Sequence, residues 1–123
     1  MTAPPKTLLA ILELGGYPNF TPLYEAVGYR VTTVASVRRA LVALKGTAPD
    51  AVVAEFNYQS DFRDRTSSLD SLLAVLQRRP PTRVVVFYER EQGPQLARLR
   101  ARFPIHAALT YPIEPEALKA ALA

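Results

Sequence analysis

The chain has no cysteine, a single histidine and no long apolar run. Without cysteine there is neither a disulfide framework nor a cysteine-based metal site, and such a chain suits the reducing cytosol. The lone histidine, His106, rules out a histidine cluster for metal binding or acid–base catalysis. It falls in the loop before the last strand, where no special role is expected of it. Leu8–Leu12, the first apolar run, is far too short to cross a bilayer, and it lacks the basic flank and small-residue cleavage site of a signal peptide. A cytoplasmic protein with no membrane attachment is therefore expected. Gly15-Gly16 follows a strand-like run, but neither G-x-G-x-x-G nor a Gly-Lys-Ser/Thr ending is present, so nucleotide binding there is not expected. Internal repeats, low-complexity tracts and linkers are missing too. Residues 1–123 are expected to form one domain, long enough to bury about two-thirds of the surface its unfolded form exposes.

What is present is ordinary globular material, 49% apolar and 21% charged. Fifteen basic against 11 acidic residues give a formal charge of +4, a mild field. The arginines are uneven, with Arg78, Arg79, Arg83, Arg90, Arg98, Arg100 and Arg102 all in the second half.

Apolar runs alternate with helical patterns from end to end. Strands are predicted at Thr7–Leu12, Arg30–Val34, Ala51–Phe56, Val84–Tyr88 and Ala107–Thr110. The runs Ala51–Phe56 and Val84–Tyr88 are continuously apolar, as in strands covered on both faces. Ser36 is a helix N-cap ahead of Val37, Ala40, Leu41 and Leu44, and Gly46 ends that helix. Ser68 caps a helix carrying Leu69, Leu72, Leu73 and Leu76, stopped by Pro80-Pro81. Pro94 opens a helix with Leu96, Leu99 and Phe103, and Pro115 with Glu116 opens the last, which buries Leu118 and Leu122. The first crossover, Glu13 to Val27, holds Gly15-Gly16, Pro18 and Pro22, so a loop and then a short helix from Thr21-Pro22 are expected. Asn57 to Ser67 is polar and reads as a loop. This alternation implies right-handed βαβ crossovers and a parallel sheet.

Several fragments in this order carry a resemblance. Gly28-Tyr29-Arg30-Val31 enters strand two, Ser36 with Ala40-Leu41 lies in helix two, and Pro49-Asp50-Ala51-Val52-Val53 enters strand three. Leu109-Thr110-Tyr111-Pro112-Ile113 then leads to Glu116-Ala117-Leu118. Together they resemble the response-regulator receiver domain, the CheY-like module of two-component signalling, over nearly the whole chain. The resemblance implies a flavodoxin-like, doubly wound α/β fold: a five-stranded parallel sheet in the order 2-1-3-4-5 with helices on both faces, here with a shortened first helix.

In that family an aspartate ending strand three accepts a phosphoryl group. Two acidic residues after strand one hold Mg²⁺, a Thr or Ser ends strand four, and a Lys before a cis-proline ends strand five. Mg²⁺ demands near-octahedral oxygen ligands, and phosphoryl transfer needs positive groups around the developing charge. Carried onto this sequence, the metal positions fall on Ile11 and Leu12, neither of which can ligate a metal, with Glu13 one residue too far along. The acceptor falls on Glu55, whose extra methylene displaces the carboxylate by about 1 Å, a shift that can cost about a hundredfold in rate. The hydroxyl position falls on Tyr88, the lysine on Tyr111 and the aromatic switch on Ala108. Pro112 is kept, which implies a cis bond. The resemblance therefore implies a degenerate receiver, or pseudo-receiver.

Glu55 reads either as a built-in mimic of the phosphorylated aspartate or as a solvated or arginine-paired carboxylate at a strand end; mimicry needs a cation to receive the charge, and the lysine is gone. Tyr88 and Tyr111 are expected to stack and fill the vacated pocket. Asp61, Arg63, Asp64 and Arg65 alternate in charge and read as a solvated loop, or as a partner contact. Arg98 and Arg102 share a helix face, with Arg100 opposite or to one side, giving a basic surface.

The expectation is a non-enzymatic, phosphorylation-independent interaction module, without cofactor or metal. It would bind a protein partner or a second copy of itself through helix 4, strand 5 and helix 5, at Arg90, Arg98, Arg100, Arg102 and Tyr111. One alternative is an arginine-rich module for a phosphate-containing molecule, such as a cyclic dinucleotide or nucleic acid. Another is a working receiver phosphorylated on a non-standard residue.

Overall fold

A computed structural model describes residues 6–12, 20–46, 48–56, 69–78 and 82–122, with the side chains of 69–71 excepted. Glu13, Gly15-Gly16, the Asp61–Arg65 loop, the Ser68 cap, Arg79 and Pro80-Pro81 lie outside the described residues. The strands are β1 (Lys6–Ile11), β2 (Tyr29–Val34), β3 (Ala51–Glu55), β4 (Arg83–Tyr88) and β5 (Ala107–Thr110). The helices are α1 (Thr21–Ala26), α2 (Val37–Leu44), α3 (Leu69–Leu76), α4 (Gly93–Arg102) and α5 (Pro115–Leu122), with a 3-10 turn at Arg90–Gln92. All strand pairs are parallel, in the order β2-β1-β3-β4-β5.

The strand residues alternate between two helical layers because successive side chains leave a strand on opposite faces. Leu9, Ile11, Val52, Ala54, Val84 and Val86 form one core with Ala40, Leu44, Leu72, Leu96 and Leu99, beneath α2, α3 and α4. Leu8, Ala10, Ala51, Val53, Val85 and Phe87 form the other with Tyr24, Leu118 and Leu122, beneath α1 and α5. Continuous apolar runs at the centre of the sheet follow from this double cover.

Local signals fix the ends. The Ser36 hydroxyl accepts from the Arg39 amide at 3.1 Å, closing the first turn of α2. The first helix is short, with Pro22 in its opening turn, and just past its Val27 cap stands Gly28, whose φ of +108° favours glycine. Strand boundaries shift by about one residue: β1 takes in Lys6 and releases Leu12, β2 takes in Tyr29, β3 stops before Phe56 and β4 takes in Arg83.

Side chains tie the N-terminal edge of the sheet together. Asp50 Oδ2 accepts from the Thr7 amide at 2.8 Å and lies 3.4 Å from the Thr7 hydroxyl, linking β1 to β3. Thr82 Oγ1 donates to the Pro49 carbonyl at 3.1 Å. Tyr29 donates its hydroxyl to the Leu122 carbonyl at 3.0 Å, and Arg83 donates to the Ala121 carbonyl at 3.0 Å, so the last turn of α5 is held from β2 and from β4. Burial pushes the Tyr29 hydroxyl above its ordinary value; Arg83 opposes this and Asp50 adds to it.

Candidate functional site

In an open parallel sheet, ligands bind beyond the carboxyl ends of the strands, where the order switches direction. Here that point lies between β1 and β3, at Ile11, Leu12 and Glu55. Ile11 is 1% exposed and belongs to the core beneath α2, α3 and α4. Leu12 is 37% exposed, and its amide continues the β1–β2 ladder by donating to the Val34 carbonyl at 3.0 Å. Glu55, only 3% exposed, stands opposite Phe87 in the β3–β4 register.

The donor set at these positions does not fit Mg²⁺. Alkyl side chains at Ile11 and Leu12 supply no oxygen, and Glu55 gives one carboxylate where a hard cation wants several oxygens. Among the described residues no cluster of three or more His, Cys, Asp or Glu side chains is placed to hold a metal ion.

Tyr88 and Tyr111 do not stack, contrary to the sequence reading. Tyr88 pairs with Thr110 in the register, packs against the core beneath α2, α3 and α4, and reaches toward Gly93 at the start of α4. Tyr111 packs on the α1–α5 side, edge-on to Phe87 with ring centroids 6.0 Å apart. The strand alternation separates the two rings, which share only a backbone link, the Tyr111 amide donating to the Tyr88 carbonyl at 3.2 Å. The Tyr111–Pro112 peptide is cis.

Sequence reasoning missed what Tyr111 joins. Phe87 also meets Phe20 edge-on at 5.9 Å, and Phe20 lies 6.5 Å from Tyr24. The row Tyr24–Phe20–Phe87–Tyr111 thus runs along one side of the strand ends. Burial pushes the Tyr24 hydroxyl well above its ordinary range. Phe20, one residue before α1, gave no periodic signal because it stands alone in the sequence between Pro18 and the short helix.

The basic residues of α4 are exposed but not all free-standing. Arg100 donates to the Ile105 carbonyl at 3.4 Å, and the Arg102 guanidinium sits 5.2 Å from the centroid of the Phe103 ring. Arg98 and Arg90 are exposed, Arg90 in the 3-10 turn before α4. Ala108 is half-buried in β5. His106 has a structural task that the sequence did not reveal: Nδ1 accepts from the Val84 amide at 3.0 Å, while the His106 amide donates to the Val84 carbonyl at 2.9 Å. No helix among the described residues is long and apolar enough to cross a membrane.

No protein-family model and no curated protein matches the sequence. Solved structures do. The chain is similar to a response regulator receiver domain protein from Clostridium thermocellum at 19% identity and a TM-score of 0.74, over 95% of this chain and 90% of that one. A CheY-like receiver domain from Methylobacillus flagellatus is 22% identical, with a TM-score of 0.70 over 97% of each chain. The chemotaxis response regulator CheY4 of Vibrio cholerae is 17% identical, with a TM-score of 0.73 over 97% of each chain. With the strand order, both helical layers and the cis peptide ending strand five already in place, the chain has the fold of the response-regulator receiver domain.

Proposed function

We propose that the chain is a pseudo-receiver: a phosphorylation-independent module that docks a protein partner, or a second copy of itself, in bacterial-type signalling or regulation. The observation that carries this reading is Ile11. At a position where receivers resemble one another in holding a metal-binding acid, an alkyl side chain is 1% exposed and built into the core. Glu55, Tyr88 and Tyr111 support the same reading, since acceptor, hydroxyl and lysine are all replaced at the neighbouring strand ends. The docking face is that of α4, β5 and α5, with Arg90, Arg98, Arg100, Arg102 and Tyr111. The chain acts without a catalytic centre, in the cytoplasm.

Adding beryllofluoride with Mg²⁺ tests this directly. The amide NMR spectrum is expected to stay unchanged. Shifts centred on Glu55 and Tyr88 would show a working phosphorylation site and overturn the reading. A phosphate-ligand module fits less well, because Arg100 and Arg102 already engage Ile105 and Phe103.

A further inference from the structure

Charge is segregated along the chain. Between Glu25 and Asp50 there is no acidic residue, while Arg30, Arg38, Arg39 and Lys45 all fall in that interval. These four cations equal the whole formal net charge of +4. The fold gathers them at one edge, because β2 is an outer strand and α2 packs beside it over β1 and β2. All four side chains are exposed, and among the described residues none is held in an ion pair.

An apolar residue sits among them. Val37, Ala40 and Leu44 turn inward on α2, which puts Val42 on the outer face at 62% exposure. Arg38, Arg39 and Lys45 stand at helical-neighbour spacing around it. Between α2 and the C-terminal end of β2 runs an open groove lined by Thr33, Val34, Ala35, Arg39, Val42 and Ala43. The lining is therefore mostly aliphatic, with the Thr33 hydroxyl and the Arg39 cation beside it. As an edge strand, β2 also presents backbone donors and acceptors that the sheet does not use.

We propose that this groove docks an extended acidic segment of a partner protein, seating an aliphatic side chain beside Val42 with flanking carboxylates toward Arg38, Arg39 and Lys45. Charge complementarity selects the occupant. Single-stranded nucleic acid would want aromatic faces for stacking, and among the described residues no aromatic side chain lines the groove. A membrane surface would want a broad apolar stripe rather than one valine. The site lies at the opposite edge of the sheet from β5, so it is a surface separate from the α4–β5–α5 face.

The probe is the capped peptide Glu-Glu-Val-Glu-Leu-Glu-Glu, titrated into ¹⁵N-labelled protein. Saturable amide shifts are expected between Thr32 and Lys45. The dissociation constant is expected to rise by about tenfold or more in the Arg38→Glu/Arg39→Glu variant, and to stay unchanged in Arg78→Glu, at an exposed arginine outside both docking surfaces. Replacing Val and Leu of the peptide by Ser is expected to weaken binding by a similar factor. The proposal is overturned by shifts that map elsewhere or do not saturate, by equal affinity in the double variant, or by equal affinity of the Ser peptide. Tighter binding of single-stranded DNA or anionic vesicles at the same residues overturns it as well. Because the shift map is read on the unaltered protein, it decides the matter even if the double variant fails to fold.

Discussion

His106 Nδ1 accepts the Val84 amide while the His106 amide donates to the Val84 carbonyl, so one residue closes both backbone groups of Val84. The side chain supplies the acceptor that the β4–β5 ladder lacks just before Ala107. With Nδ1 accepting, the N–H of the ring lies on Nε2. His106→Ala is expected to leave the Val84 amide without that acceptor and to cost about 1–2 kcal/mol in urea unfolding. His106→Asn, which can offer a carbonyl, is expected to recover part of the loss, and equal stability of all three proteins would rule the role out.

Ile11 separates a rebuilt core from a dormant metal site. Ile11→Val is expected to cost about 1 kcal/mol. Ile11→Asp is expected to cost about 3–5 kcal/mol, because it places an uncompensated charge in the core. Unfolding is to be followed with and without Mg²⁺. Recovery of the Asp variant by Mg²⁺ would mean that the surrounding residues still form a metal site.

Asp50 anchors β1 to β3 through the Thr7 amide at 2.8 Å. Asp50→Ala is expected to lower stability by about 1–2 kcal/mol, and Asp50→Asn by less, since an amide oxygen still accepts. Chemical denaturation of the three proteins reads the difference.

Tyr24 sets an alkaline limit. Its folded pKa is raised above the ordinary 10.0, so the fold holds the proton more tightly than the unfolded chain does. The resulting contribution is whole below pH 10.0 and is lost as pH rises beyond it. Tyr24→Phe is expected to flatten the fall in Tm between neutral and strongly alkaline pH. An identical fall in both proteins would show that Tyr24 is not its source.

The fold was legible because its signals are local. Burial on both faces needs only the continuous β-branched run Val84–Val86, and the α2 start needs only Ser36 with the Arg39 amide. The receiver resemblance placed Ile11, Leu12, Glu55, Tyr88 and Tyr111 at the strand ends, where the structure has them. The expected stacking of Tyr88 on Tyr111 failed for a reason of parity. Which face each ring takes depends on the β4–β5 register, Tyr88 opposite Thr110, and no single segment encodes that. His106 and Phe20 act through partners 22 and 67 positions away, beyond any window of periodicity.

The last turn of α5 is gripped by Tyr29 from β2 and by Arg83 from β4, two strands with β1 and β3 between them. The last turn of a helix ordinarily frays, and its amides exchange with solvent long before the core opens. Here the final turn cannot peel away without releasing both sides of the sheet. Its amides are therefore expected to exchange at rates close to those of the central strands, so that the last turn of α5 reports the opening of the sheet.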